Sequence, residues 1–141
     1  MTVFVDANVL VYARDASHAA KQQAAANWID FLWRSGDGRL STQVLSEFYV
    51  AVTRRLDPGM TVADARADVR DLLAWRPVPI TGELLTEAWH VQDRFHFAYW
   101  DALIVAAARG AECNRLLSED LQDGQDLDGV SVVNPFLTPP D

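Results

Sequence analysis

At 141 residues the chain has the commonest size for one domain and leaves little room for two ordinary cores, so residues 1–141 are read as a single domain. Half of the residues are hydrophobic and 23% are charged, which excludes general disorder, while 12 basic against 20 acidic residues give a net charge of −8 and exclude a simple basic coat for nucleic acid or a membrane surface. An enzyme acting on nucleic acid stays open, because bound cations neutralise an acidic site.

Val3 to Val5 is an uninterrupted apolar run, as expected of a strand buried on both faces of a parallel sheet, and Asp6 stands at its end. Asn8 is placed to cap a helix beginning at Val9, to orient a neighbouring acid, or both. From Ser17 to Arg34 the residues Ala20, Ala24, Trp28, Phe31 and Leu32 recur at helical spacing, and Ser35-Gly36 supplies a stop. A second long helix opens at Ser41 or Thr42 and runs to Arg55, with Val44, Leu45, Phe48, Ala51 and Val52 on one face and Glu47 at its edge. Thr61 with Asp64 caps a third, which keeps its period to Trp75. Val78-Pro79-Ile80 reads as a short edge strand. Gly82 to Phe95 and Trp100 to Gly110 read as two more helices, with Asp101 in the first turn of the apolar second one. Arg115 to Leu117 and Val130 to Val133 are the closing strands, and Ser118-Glu119-Asp120 leaves the former. Short strands alternating with helices predict an α/β layer fold with a parallel sheet, whose ligands bind outside the carboxyl ends of the strands.

Two acids therefore stand at strand exits, Asp6 and Asp120, and two more, Glu47 and Asp101, edge apolar helices. Each alone has an ordinary explanation: turn residue for Asp6 and Asp120, helix cap for Asp101, solvated position for Glu47. Together they make an all-oxygen set suited to Mg²⁺ or Mn²⁺. The histidines His18, His90 and His96 show no spacing paired with these acids. Cys113 is the only cysteine, which permits neither an internal disulfide nor a thiolate zinc cage and fits a reducing compartment. The opening residues lack a basic segment, and the longest apolar run, Ala102 to Ala108, is too short to span a membrane, so a cytoplasmic protein is expected.

Val5-Asp-Ala-Asn-Val-Leu10, Leu45-Ser-Glu-Phe48, Trp100-Asp-Ala-Leu-Ile-Val-Ala-Ala-Ala108 and Leu116-Leu-Ser-Glu-Asp120 occur in the order of a known family. In these segments the sequence resembles the PIN domain, and within it the VapC-type toxins of prokaryotic toxin-antitoxin pairs. The resemblance implies a three-layer α/β/α fold with a short-stranded, mostly parallel central sheet. It also implies a Mg²⁺- or Mn²⁺-dependent ribonuclease in which Asp6, Glu47, Asp101 and Asp120 form the acidic cluster, with cleavage leaving a 5′-phosphate and a 3′-hydroxyl. Asn8 and Ser118 match polar positions beside the cluster, and Asp123 is an alternative to Asp120 as the fourth acid. A homodimer and a cognate antitoxin, whose C-terminal segment occupies the active groove, are implied as well.

Rival readings have less behind them. An aspartyl-phosphate enzyme would use Asp6 as acceptor, but Asp6-Ala-Asn8 is half of the paired-Asp motif and the sole lysine, Lys21, comes too early. A calcium loop between Glu119 and Asp128 lacks EF-hand spacing. A PIN-like scaffold that binds RNA or protein without cutting is the remaining alternative. Eleven of the 12 basic residues are arginines; Arg54-Arg55 and Arg66/Arg70 form small clusters able to contact phosphates bidentately, but are expected first to pair with Asp57, Asp64, Asp68 and Asp71. Of five tryptophans most are expected in the core, with Trp33 and Trp75 near helix ends as candidates for an interface.

Overall fold

The computed structural model of the chain describes residues 1–141 and orders four strands and six α-helices along it. Strand β1 (Val3–Val5) is buried at all three residues, so both faces of the sheet are covered. Helix α1 (Ala7–Tyr12) follows without a loop, because Asp6 itself caps it: its backbone is extended and its Oδ1 accepts from the Ala7 amide at 2.7 Å. The expectation that Asn8 caps a helix starting at Val9 is thereby corrected. Asn8 lies inside α1 with its side chain free for other work.

Helix α2 (Ala19–Ser35) ends at Gly36, whose φ of 75° is the left-handed conformation that glycine adopts without cost. It buries Ala25, Trp28 and Leu32, while Ala20 is exposed. Strand β2 (Gly38–Arg39) was not expected, since two residues carry no alternation. It exists through parallel pairing with β1, Val3 opposite Gly38 and Phe4 opposite Arg39. Gly38 is required by packing: a Cβ there would come within 2.8 Å of the Trp75 ring.

Helix α3 (Thr42–Arg54) is capped by Ser41, whose hydroxyl accepts from the Val44 amide at 3.2 Å, and buries the predicted apolar stripe. Helix α4 (Val62–Leu72) is capped by Thr61 and closes with a tight 3₁₀ turn over Leu73–Trp75. Val78 forms a single bridge to Ser41 in place of the expected strand; Pro79 has no amide hydrogen to extend it. Helices α5 (Gly82–Phe95) and α6 (Tyr99–Gly110) pack on each other, and α6 buries every residue from Ala102 to Ala108. Strands β3 (Arg115–Leu117) and β4 (Ser131–Val133) complete the sheet.

All pairings are parallel, and the strand order is β2-β1-β3-β4. The chain therefore leaves β1 in one direction to reach β2 and in the other to reach β3. That reversal opens a crevice beyond the carboxyl ends of β1 and β3, the place where open α/β sheets bind ligands. Asp6 and Ser118 are the first residues past those ends, and the Asp6 amide still donates to the Leu117 carbonyl at 3.0 Å. No helix is long and apolar enough to cross a membrane.

Candidate functional site

The crevice is organised around Asp6. Its Oδ2 accepts from the Ser118 hydroxyl at 2.8 Å and from Asn8 Nδ2 at 3.3 Å, while Oδ1 is held by the Ala7 amide. Ser118, fully buried, also accepts from the Asp120 amide at 3.1 Å. Asn8 binds the 118–120 loop three times: its Nδ2 donates to Ser118 Oγ at 3.3 Å and to Asp120 Oδ2 at 3.2 Å, and its Oδ1 accepts from the Glu119 amide at 3.2 Å. The ends of β1 and β3 are thus tied together through side chains that each touch an acid. Of the two candidates for the fourth acid, the structure brings Asp120 to this network. Asp123 is engaged elsewhere, its Oδ1 accepting from the Asn134 amide at 2.8 Å.

Glu47 reaches the site from α3 and is exposed. Its Oε1 accepts from Gln43 Nε2 at 2.7 Å, and the same amide donates to the Trp100 carbonyl at 3.2 Å. Gln43 is buried and links the Glu47 carboxylate to the start of α6, a role no sequence motif announced. The signal available was its position four residues before Glu47, on the same helix face. Asp101 sits in the first turn of α6 and is half-buried, yet no protein group donates a hydrogen bond to its carboxylate. The reading of Asp101 as a helix cap is corrected: the cap position is Ala98, which offers no side-chain acceptor.

The electrostatics follow from this crowding. Burial, opposed by the Ser118 and Ala7 hydrogen bonds and aided by the Asp120 and Glu47 charges, pushes the Asp6 carboxyl up to about 7. Burial first and the Asp120 charge second raise Asp101 as well. No basic side chain pairs with Asp6, Glu47, Asp101 or Asp120. Lys21, the sole lysine, is committed to Glu119 at 2.8 Å and leaves Glu119 Oε2 enclosed without a partner. The four acids thus share one uncompensated field of oxygen donors, the chemistry that suits a hard divalent cation. No three of them are grouped as a finished ligand cage.

Two expectations outside the crevice are corrected. Arg54, Arg55, Arg66 and Arg70 pair with no acid; Asp68 is taken by Arg14 through bonds of 2.7 and 2.8 Å, and Arg66 instead donates to the Tyr49 hydroxyl at 3.2 Å. Among the tryptophans only Trp28 and Trp75 are buried, because Trp75 fills the space over Gly38; Trp33, Trp89 and Trp100 are exposed.

Fold and site together define a parallel α/β domain with an acidic centre at the reversal of its sheet. The PIN domain profile matches residues 3–122, and the chain belongs to the PIN domain family. Similar solved structures cover most of its length. The Mycobacterium tuberculosis VapC20 structure, described as a Sarcin-Ricin loop cleaving toxin, has a TM-score of 0.60 at 20% identity over 82% of this chain and 87% of that one. A toxin-antitoxin complex from Klebsiella pneumoniae gives 0.65 at 16% identity over 96% and 98%. FitAB bound to a DNA fragment gives 0.68 at 18% identity over 96% of each chain. No curated protein sequence matches the chain.

Proposed function

We propose that the protein is a cytoplasmic, metal-dependent endoribonuclease of the VapC toxin type, hydrolysing RNA phosphodiester bonds at Asp6, Glu47, Asp101 and Asp120. The observation that carries this reading is Asp101. Its carboxylate is half-buried, raised in pKa by burial and by the Asp120 charge, and engaged by no protein donor, so its oxygens are free to ligate a cation whose charge would offset that of Asp120. Membership of the PIN family and similarity to a toxin that cleaves the Sarcin-Ricin loop support the same reading.

Asp6, Glu47, Asp101 and Asp120 would hold Mg²⁺ or Mn²⁺, with Asp6 the innermost of the four. The ion would supply Lewis acidity, screening the phosphate and lowering the pKa of a bound water. Around it the protein orients its own groups. Ser118 and Asn8 fix Asp6 against Asp120, Gln43 fixes Glu47, and Asp6, poised near neutrality, gives up its proton when positive charge enters the crevice. A homodimer and a cognate antitoxin complete the proposal. Similarity to a toxin-antitoxin complex supports the antitoxin, and a cavity of about 690 Å³ apart from the four acids, lined by Leu10, Ile29, Trp33 and Leu72 together with Arg14, Asp30, Asp68 and Asp71, offers a further surface to a protein partner.

The test is incubation of the purified protein with total RNA and Mg²⁺ or Mn²⁺, followed by mapping of new 5′ ends. Discrete ends made by the wild type and absent with Asp101→Asn are the expected result. One observation favours the second reading, a binding scaffold that does not cut: no three of the acids form a finished ligand set. Measured metal binding with no new ends would decide for it.

A further inference from the structure

Trp100 is the most exposed of the five tryptophans, at 63%, and directly precedes Asp101. Single exposed aromatics are common and need no explanation by themselves. This one is tied to the site by its backbone. Its carbonyl accepts from Gln43, the buried amide that also holds Glu47, so one side chain fixes both a site carboxylate and the residue carrying the indole. The indole has no flat-lying partner. Its aromatic neighbour, Tyr99, meets it edge-on, with centroids 5.3 Å apart and planes at 72°.

We infer that Trp100 is a stacking platform for an unpaired RNA base beside the phosphodiester bond at the carboxylates. The inference rests on the ribonuclease reading above and specifies the substrate: a nucleotide in a loop, bulge or end, because bases inside an A-form helix are stacked on their neighbours and offer no free face. A polyanion approaching an acidic crevice on a chain of net charge −8 gains little from long-range attraction, so short-range contact with base faces must supply much of the affinity. Stacking is tolerant of base identity, so Trp100 selects single-strandedness and not sequence.

The experiment uses fluorescence anisotropy with a labelled single-stranded RNA and the same strand in a duplex, on Asp101→Asn protein as a carrier that does not cut, with and without Trp100→Ala or Trp100→Phe. Trp100→Ala is expected to weaken single-strand binding roughly 5- to 100-fold, with Trp100→Phe recovering most of it and duplex binding unmoved. In the otherwise wild-type enzyme Trp100→Ala should raise KM and leave kcat nearly unchanged. RNA should quench indole emission in the wild type more than in Trp100→Phe. Equal binding by all three proteins, a parallel loss for single strand and duplex, or a loss of kcat with binding intact would each overturn the inference. A wild type that neither binds nor cuts RNA overturns the ribonuclease reading instead.

Discussion

Asp6 ties the stability of the protein to pH. Its carboxyl rises from the ordinary 3.8 to about 7 in the folded chain, a difference worth about 4 kcal/mol at 1.36 kcal/mol for each pH unit. The unfolded chain loses this proton first. Asp6 therefore contributes full stability below about 3.8, and the contribution falls as pH rises until it is lost above about 7. Asp6→Asn removes the ionisation while keeping an oxygen to accept from the Ala7 amide. Its NH₂ group cannot accept from the Ser118 hydroxyl as Oδ2 does, which costs about 1 kcal/mol. Without divalent cation at pH 8 the variant should be more stable than wild type by roughly 2–3 kcal/mol, or about 5–10 °C in Tm for a chain of this size. At pH 4 the gap should close to within about 1 kcal/mol. Thermal melts in EDTA across that range measure it. A wild type that gains stability relative to Asp6→Asn as pH rises through 7 would refute the reasoning.

Asp101→Asn should likewise melt above wild type in EDTA at pH 8 and gain less from added Mn²⁺, since it removes one charge of the field without deleting a hydrogen bond; paired melts with and without Mn²⁺ decide it. Asp120→Asn should abolish RNA cleavage, whereas Asp123→Asn, which alters only the contact to the Asn134 amide, should leave cleavage within about threefold and cost under about 1 kcal/mol in urea unfolding. Ser118→Ala removes the strongest hydrogen bond holding the Asp6 carboxylate ionised, so the acid limb of the pH–rate profile should move to higher pH; an unmoved limb would detach Asp6 from the chemistry.

The elements that bury a continuous face were legible in the sequence. Val3–Val5, the stripe of α3 and the apolar run of α6 each announce burial by pattern. Gly38–Arg39 was not, because a two-residue strand is defined by its partner β1 and by the Trp75 ring over Gly38, both remote in sequence. Val78 misled in the opposite sense: apolar neighbours suggested a strand where a single bridge forms. Asp6, Glu47, Asp101 and Asp120 could be proposed one by one from their positions. What binds Asp6 to Ser118 and Asn8 to Asp120 spans 112 residues in each case, and no local signal reaches that far. The unpaired arginines show the limit of a base rate: acids at helical spacing from Arg66 and Arg70 were available, and tertiary packing gave Asp68 to Arg14.

The pairing of Lys21 with Glu119 makes the crevice addressable by chemistry. With eleven arginines and one lysine, the chain presents amine reagents with a single side-chain target besides the Met1 amine. That target lies 2.8 Å from a carboxylate flanked by Ser118 and Asp120, and 4.7 and 5.2 Å from the centroids of the Tyr12 and Phe136 rings. Reductive methylation with a carbon-13 label keeps the positive charge and places one NMR-visible group under two aromatic rings. Its resonance would report movement of the 118–120 loop directly, as cation or RNA is titrated in, without altering any of the four acids.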